Sequence, residues 1–254
     1  MRRVLALLSL LGTGWVACGG GGGREDGAAP LILGYTADLQ TLNPLVSTDQ
    51  NANDLIYHLL YTPLVTYDST YRVRPWLAES WEFEGKSVVF TLRDDVRWHD
   101  GEPVTAHDVK FTVDLLNHPE VLYPANGIES VEVLDDTTFI MTYKPGSAWH
   151  AYWYPGYWER FYPKHLLEHL DPAEFYTWDF WTDPVGNGPF RYVRRTPGIM
   201  VEFEANPDFY LGKPKIDRVV IKFGPESITE LVAGNIDALN VENRTSVLGI
   251  EDDP

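Results

Sequence analysis

The chain has 254 residues, of which 44% are hydrophobic and 13% aromatic, and its 37 Asp and Glu against 20 Lys and Arg give a formal charge of −17. This length allows roughly one or two domains, and so negative a surface argues against nucleic acid as a partner because it repels the phosphate backbone. A single cysteine, Cys18, excludes an internal disulfide and a cysteine-based metal site.

The first residues have the layout of a secretory signal peptide. An arginine pair precedes an apolar run at 4–11, which is far shorter than the ~20 residues of a membrane-spanning helix. Cys18 follows a small residue, as in a bacterial lipobox, although Trp15 stands where such motifs usually carry Leu. We expect a lipoprotein signal peptide at 1–18, a flexible glycine-rich tether at 19–30, and an exported protein held to the membrane by lipid on Cys18. The alternative is a plain secretory signal with an incidental cysteine.

The first predicted elements alternate with turn residues. The apolar run at 31–35 predicts a buried strand, 41–44 a loop, and 54–61 a short helix. At 88–93, apolar and more polar residues alternate, which is typical of a strand with one buried face.

A turn and a helix are predicted next. Asp100-Gly101 indicates a reversal of the chain. Thr105 then caps a helix, where its hydroxyl can accept a backbone N–H, and Asp108 favours the positive end of the helix dipole. The inward stripe of this helix is predicted to be Val109, Val113 and Leu116.

The second half of the chain predicts mostly strands. Segments 131–133 and 138–143 flank Asp135-Asp136, which is a hairpin signature. Further strands are predicted at 190–193, 201–203, 219–223 and 236–239, and a helix at 227–233 that ends at Gly234. Strands and helices are mixed without strict alternation, which indicates an α/β class of mixed α+β character.

Three stretches carry a more specific pattern. The first reads PWLAESW at 75–81 and, after a strand, WHDGEPVTAHDV at 98–109. The second is GNGPF at 186–190, and the third is NPDFYLGKPK at 206–215, followed by GNIDA at 234–238. Together they resemble the oligopeptide- and dipeptide-binding proteins of ABC importers, the bacterial extracellular solute-binding proteins of family 5, over nearly all of the chain from about Leu31. We interpret the motif residues as scaffold, with core positions at Trp81, Phe90, Leu92 and Trp98.

The resemblance implies a fold of two hinged lobes, of the type II periplasmic-binding-protein kind. The first lobe would comprise 31–61 and 186–254, and 62–185 would be a subdomain inserted into it. The second lobe would lie beyond Pro254 and is missing from this sequence, so that the chain matches only the N-terminal portion of the family.

The resemblance also implies a ligand site and a function. The polar loop Ser47-Thr48-Asp49-Gln50 would line the cleft, and Tyr123 would approach it; extended peptides are commonly held by backbone hydrogen bonds and side-chain pockets. An ordinary solvated loop is the alternative. The expected function is non-covalent capture of a peptide or similar oligomeric solute, without a cofactor, by a monomer that delivers it to an ABC permease and its ATPase subunits.

The segment from 149 to 181 is rich in aromatic residues. It is either an aromatic wall for sugars or apolar side chains, or packing between lobe and insert, and we favour packing for most of its rings. These rings are Trp149, Tyr152, Trp153, Tyr154, Tyr157, Trp158, Tyr162, Tyr176, Trp178 and Trp181.

Two rival functions remain. His165, Glu168 and His169 fit the H-x-x-E-H pattern of a zinc metalloprotease, for which Glu202 or Glu230 would be guesses at a third ligand. No G-x-S-x-G elbow or phosphate-binding P-loop occurs in the sequence, and we expect no enzymatic activity. The other rival is a truncated surface lipoprotein that does not transport.

Overall fold

The computed structural model describes residues 3–8, 14–19, 29–35, 38–39, 41–43, 57–121, 127–147, 160–224 and 227–241. The chain divides into two compact units. Unit 1 comprises 1–40, 192–205 and 214–254, and unit 2 comprises 41–191 and 206–213. These limits differ from the predicted lobe and insert limits at 61/62 and 185/186, and the assignment of the units to lobes stays a prediction.

Unit 1 is built on a mixed sheet. Its described strands are β1 (Arg3–Leu8), β2 (Gly14–Gly19), β3 (Leu31–Tyr35), β10 (Phe190–Thr196), β11 (Met200–Ala205), β12 (Arg218–Phe223) and β13 (Ala238–Val241). They lie in the order β1-β2-β13-β3-β12-β11-β10. The central strand β3 is parallel to both β12 and β13, whereas β11 and β12 are antiparallel.

Strand β3 is fixed by an aspartate that lies 205 positions further along the chain. The Asp237 carboxylate accepts the N–H of Ile32 at 2.9 Å, and the Asp237 N–H donates to the Ile32 carbonyl at 2.8 Å. These two hydrogen bonds lie just before the first regular pair of β13 with β3. Strand β13 therefore begins at Ala238, two residues later than predicted. The predicted burial of the strand is confirmed at its second half, where Leu33 and Tyr35 are buried.

Two stretches of the predicted signal peptide, for which the sequence predicted no strand, have strand backbone. β1 and β2 pair antiparallel, and β2 pairs with β13 from Gly14 to Ala17. The physical reason is that β13 would otherwise present an unpaired edge, to which an apolar extended segment adds readily. The signal peptide and the lipid on Cys18 remain predictions.

The helix in the described part of unit 1, α3 (Ser227–Ala233), ends as predicted. Gly234 has a φ of +79°, and its N–H donates to the Leu231 carbonyl. The Asn235 N–H donates to the Glu230 carbonyl at 2.9 Å. This glycine-based cap satisfies carbonyls at the helix end and releases the chain toward β13.

The described part of unit 2 contains two smaller sheets, two α-helices, a helical stretch at 57–60 and two short 3-10 helices at Pro172–Thr177 and Asp179–Thr182. Its described elements are β4 (Val65–Tyr67), β5 (Val73–Pro75), β6 (Ala78–Glu84), β7 (Ser87–Leu92), β8 (Ile128–Val133), β9 (Thr138–Tyr143), α1 (Ala106–Leu116) and α2 (Lys164–Leu167). β4 and β5 form a hairpin, and the other strands form an antiparallel sheet in the order β6-β7-β9-β8. The predicted helix at 54–61 is described only for 57–60, which are helical.

The core of this antiparallel sheet follows the predicted alternation. Val88, Phe90 and Leu92 on β7 are buried, and Phe90 stacks on Phe139 of the neighbouring strand at 5.4 Å between ring centroids. The prediction that Trp81 is a core residue was wrong, because it lies on the edge strand β6 and is only half-buried.

The N-terminus of α1 is fixed by Asp108, which is buried. Its Oδ2 accepts the N–H of Thr105 at 2.8 Å and the Thr105 hydroxyl at 3.2 Å, while its Oδ1 accepts the N–H of Lys164 at 2.9 Å. Thr105 is therefore the cap residue that was predicted. Asp108, predicted only to favour the dipole, also ties α1 to the first residue of α2.

Candidate functional site

The residues predicted to contact ligand, Ser47, Thr48, Asp49, Gln50 and Tyr123, lie outside the described residues. Their role therefore stays a prediction. The backbone of Cys18 is described within β2.

The three motif stretches meet at one backbone carbonyl, that of Gly188. His99 Nε2 lies 3.0 Å from this oxygen, and Asn206 Nδ2 donates to it at 3.2 Å. Each of the three motifs thus supplies one partner. We call His99, the 186–188 segment and Asn206 the Gly188 junction.

The two glycines of the junction are required by close backbone approach. The N–H groups of Asn187 and Gly188 both donate to the Leu60 carbonyl, at 2.9 and 2.8 Å. A Cβ atom on Gly186 would lie 2.8 Å from the Leu60 carbonyl carbon and overlap its oxygen, and one on Gly188 would lie 2.6 Å from the same carbon. Only glycine leaves room for this crossing. The buried Asn187 adds a side-chain bond, because its Oδ1 accepts the N–H of Thr62 at 2.9 Å.

His99 is held in one tautomer by the junction. Its Nδ1 accepts the N–H of Gly186 at 3.2 Å, so Nε2 carries the proton that is donated to Gly188. Burial is the main cause that lowers the His99 pKa from 6.5 to about 4. The imidazole is therefore neutral at neutral pH. The sequence assigned the WHDG segment to turn chemistry, which Gly101 with a φ of +99° confirms, but missed this long-range role of the histidine.

The third motif continues the network on the other side of Gly188. The Asn206 N–H donates to the Pro189 carbonyl at 2.8 Å, and its Oδ1 accepts from the Arg191 guanidinium at 2.8 Å. Arg191 also pairs with Asp208 at 3.0 Å. The Arg93 guanidinium, which is bonded to Asp95 at 2.7 Å, lies 5.1 Å from the ring centroid of Tyr210. The junction is a structural centre of unit 2.

The H-x-x-E-H segment has partners that do not favour zinc. His165 Nε2 lies 2.7 Å from the Asp100 carboxylate, and Glu168 pairs with Lys164, which lowers the pKa of Glu168. α2 ends at Leu167, so that His169 lies beyond the helix. Among the described residues, no group of three or more His, Cys, Asp or Glu side chains is placed to hold a metal ion.

The two residues suggested as a third zinc ligand, Glu202 and Glu230, belong to unit 1. Glu202 is buried on β11, and its carboxylate is bound by Arg194 at 2.8 Å and by Arg218. Glu230 lies on α3. Glu202 thus serves as the anion of a sheet ion pair.

Most described aromatic rings of the 149–181 segment are packed against one another within unit 2, and packing between lobe and insert stays a prediction. Tyr162 and Trp181 make an edge contact at 5.3 Å, and Phe175 contacts Trp178 and Trp181 at 5.1 and 5.6 Å between centroids. Trp178 and Trp181 are also fixed by N–H bonds to backbone carbonyls, each at 2.9 Å. The rings at 149–158 lie outside the described residues.

A groove opens between α1 and residues 164–178, and no sequence signal had pointed to it. We call it the α1 groove. Its volume is about 390 Å³, near the lower end of the roughly 300–1,000 Å³ typical of ligand pockets. Its apolar lining residues are Phe111, Leu115, Leu167, Leu170, Pro172 and Trp178.

Comparison with known families identifies the chain. The model of the bacterial extracellular solute-binding proteins, family 5 (middle), matches residues 72–248. The chain belongs to this family. The resemblance derived from the motifs is therefore confirmed.

Family 5 relatives extend the match. The chain is 28% identical over 231 residues to the oligopeptide-binding protein AppA of Bacillus subtilis. This alignment covers 86% of this chain and 42% of AppA. The structure of AppA in complex with a nonapeptide aligns with a TM-score of 0.78 at 27% identity, over 90% of this chain and 47% of that one. NikZ from Campylobacter jejuni in complex with Ni(L-His) aligns with a TM-score of 0.73 at 31% identity, over 88% and 45%.

These likenesses confirm the predicted mixed α/β lobe of a type II periplasmic-binding-protein-like fold. The chain spans less than half the length of these relatives, which are solute-binding proteins. No helix in the described part of the chain is long and apolar enough to cross a lipid bilayer.

Proposed function

We propose that this family 5 chain contributes to the capture of a peptide or similar oligomeric solute outside the cell and to its delivery to an ABC permease. The match to AppA, whose structure holds a nonapeptide, supports this function most directly. The proposed action is binding without bond chemistry, so the chain is not an enzyme and needs no cofactor. It acts as a monomer, and its partners are the solute, the permease and the ATPase subunits.

In this proposal, the loop 47–50 and Tyr123 contribute ligand contacts. Polar loop side chains and backbone groups suit an extended peptide, whose own backbone offers donors and acceptors along its length. Export by the residues at 1–18 and lipid attachment at Cys18 would hold the protein at the membrane, beside the permease it serves.

Ligand capture is tested by titrating the purified chain with defined di- to nonapeptides in a calorimeter and recording thermal unfolding in parallel. A peptide present at about 100 times its Kd stabilises the folded state by about 2.7 kcal/mol, which raises the Tm of a chain of this size by roughly 5–10 °C. No heat of binding together with no Tm increase would contradict capture by this chain and favour the non-transporting surface lipoprotein.

The predicted site is tested by Asp49→Asn, with Asp94→Asn as the control. Asp94 is exposed on a bend of unit 2. Both variants replace one carboxylate by an amide, and therefore they change the net charge equally. We expect only Asp49→Asn to weaken peptide binding, by about tenfold for the loss of one good polar contact. Equal affinities of the two variants would remove Asp49 from the site.

A further inference from the structure

The α1 groove has the construction of a small-molecule site. One wall is a face of α1 that carries His107, Phe111 and Asp114 at the three- and four-residue spacing that puts side chains together, and His118 lies just beyond the end of the helix. The opposite face of the helix, with Val109 and Val113, is buried in the core. Among the lining residues on α1, His107, Lys110 and Asp114 are exposed, whereas Leu115 is buried.

The walls of the groove are held at a fixed separation. The Thr112 hydroxyl accepts the N–H of Tyr162 at 2.8 Å, and Asp108 accepts the N–H of Lys164 at 2.9 Å. Both acceptor residues lie on α1 and both are buried. On the far side, Trp178 Nε1 donates to the Asp171 carbonyl at 2.9 Å, which fixes the indole ring. A ligand therefore meets a preformed surface, so that little ordering has to accompany its binding.

The rim of the groove carries charges of both signs. Lys110 pairs with Asp114 at 2.6 Å, and Lys164 pairs with Glu168, in each case four residues apart on the chain. Exposed pairs of this kind contribute little to stability, because water screens the two charges. They are therefore easily exchanged for the ammonium and carboxylate groups of a ligand.

We propose that the α1 groove is a second ligand site, which binds a free α-amino acid with a large apolar side chain. The leucines, Phe111 and the ring of Trp178 accept the side chain. The two lysines bind the ligand carboxylate, and Asp114 and Glu168 bind its ammonium group. The volume of about 390 Å³ suits one residue better than an extended peptide. The site lies wholly within unit 2 and does not depend on the proposed peptide capture.

The inference is tested on the 254-residue chain, labelled with ¹⁵N, by titration with L-phenylalanine. The indole N–H resonance of Trp178, assigned through Trp178→Phe, reports on the groove and not on a peptide site elsewhere. We expect a saturable shift of this resonance. Phenethylamine and 3-phenylpropionate, which each lack one of the two charges, should bind about tenfold more weakly, as for the loss of one charged contact.

A matched pair of variants tests the rim. Lys110→Glu reverses a rim charge, and Lys86→Glu makes the same change in the exposed ion pair with Glu129, outside the groove. Both positions are exposed, so both variants are expected to fold, and unchanged circular dichroism checks this. Lys110→Glu should weaken L-phenylalanine binding about tenfold, and Lys86→Glu should leave it unchanged. A Trp178 resonance that does not move, equal binding of the two single-charge analogues and the amino acid, or equal loss in the two variants would each overturn the site.

Discussion

His99 Nε2 lies 3.0 Å from the carbonyl oxygen of Gly188, 89 positions further along the chain. This bond joins the WHDG motif to the GNGPF motif. It explains why a histidine stands in a turn that Asp100 and Gly101 would form without it. The motif residues by which the family is recognised therefore hold distant segments of the fold together.

Replacement of His99 by Ala should destabilise unit 2. The substitution leaves the Gly186 N–H without its imidazole acceptor and opens a cavity, at an expected total cost of about 2–4 kcal/mol. Urea unfolding of the two proteins measures the loss. His169→Ala, which removes an exposed histidine, is the control and should change stability by less than about 0.5 kcal/mol. Equal midpoints for both variants would show that the junction bonds carry no net stability.

The same histidine predicts a pH dependence. Because its pKa in the folded protein is lowered from 6.5 to about 4, the unfolded chain binds more protons between these values. The His99 contribution is complete above pH 6.5 and is lost as the pH falls to about 4, with a maximum of about 3 kcal/mol. Unfolding free energies measured across this window should fall more steeply for the natural chain than for His99→Gln, which does not titrate. Parallel curves would contradict a neutral His99.

Gly186→Ala tests the backbone crossing at Leu60. The added Cβ overlaps the Leu60 carbonyl group, which belongs to the backbone and cannot rotate away. We expect a loss of about 3 kcal/mol from this overpacking. The control is Gly224→Ala, since a Cβ there meets no heavy atom within 4 Å. Comparable Tm values for the two variants would show that Gly186 and the Leu60 carbonyl group are too far apart for a Cβ atom to overlap.

Asp108→Asn tests the tie between α1 and α2. One carboxylate oxygen faces the Thr105 N–H and the other the Lys164 N–H, so an amide must turn a donor toward one of them. The expected cost is about 1–3 kcal/mol. Amide hydrogen exchange at Lys164 should also become faster. Asp114→Asn, an exposed change on the same helix, should show neither effect, and protection of Lys164 unaffected by Asp108→Asn would refute the tie.

The sequence alone predicts those parts of the fold that depend on neighbouring residues. The alternation at Val88, Phe90 and Leu92, the turn at Asp100-Gly101 and the cap at Thr105 are each determined within a few positions. The third bond of Asp108, to Lys164, joins segments 56 positions apart. No local pattern reports such a contact, and the same is true of His99 and Gly188.

Neither candidate site could be predicted from local sequence patterns. The loop 47–50 was predicted from the family resemblance alone and remains a prediction. The α1 groove could not be predicted, since the pattern of α1 does not show which distant segment packs beside it. The groove forms only because residues 164–178 pack opposite the helix.

The pairing of Ile32 with Asp237 has a consequence for the order of folding. These residues are 205 positions apart, so the central strand of the unit 1 sheet cannot complete its pairing until residue 237 is available. The hairpins of unit 2 close over short loops, and contacts of short sequence separation form faster than distant ones. Unit 2 should therefore gain structure first. Until residue 237 pairs with it, β3 remains an unpaired apolar segment that can aggregate.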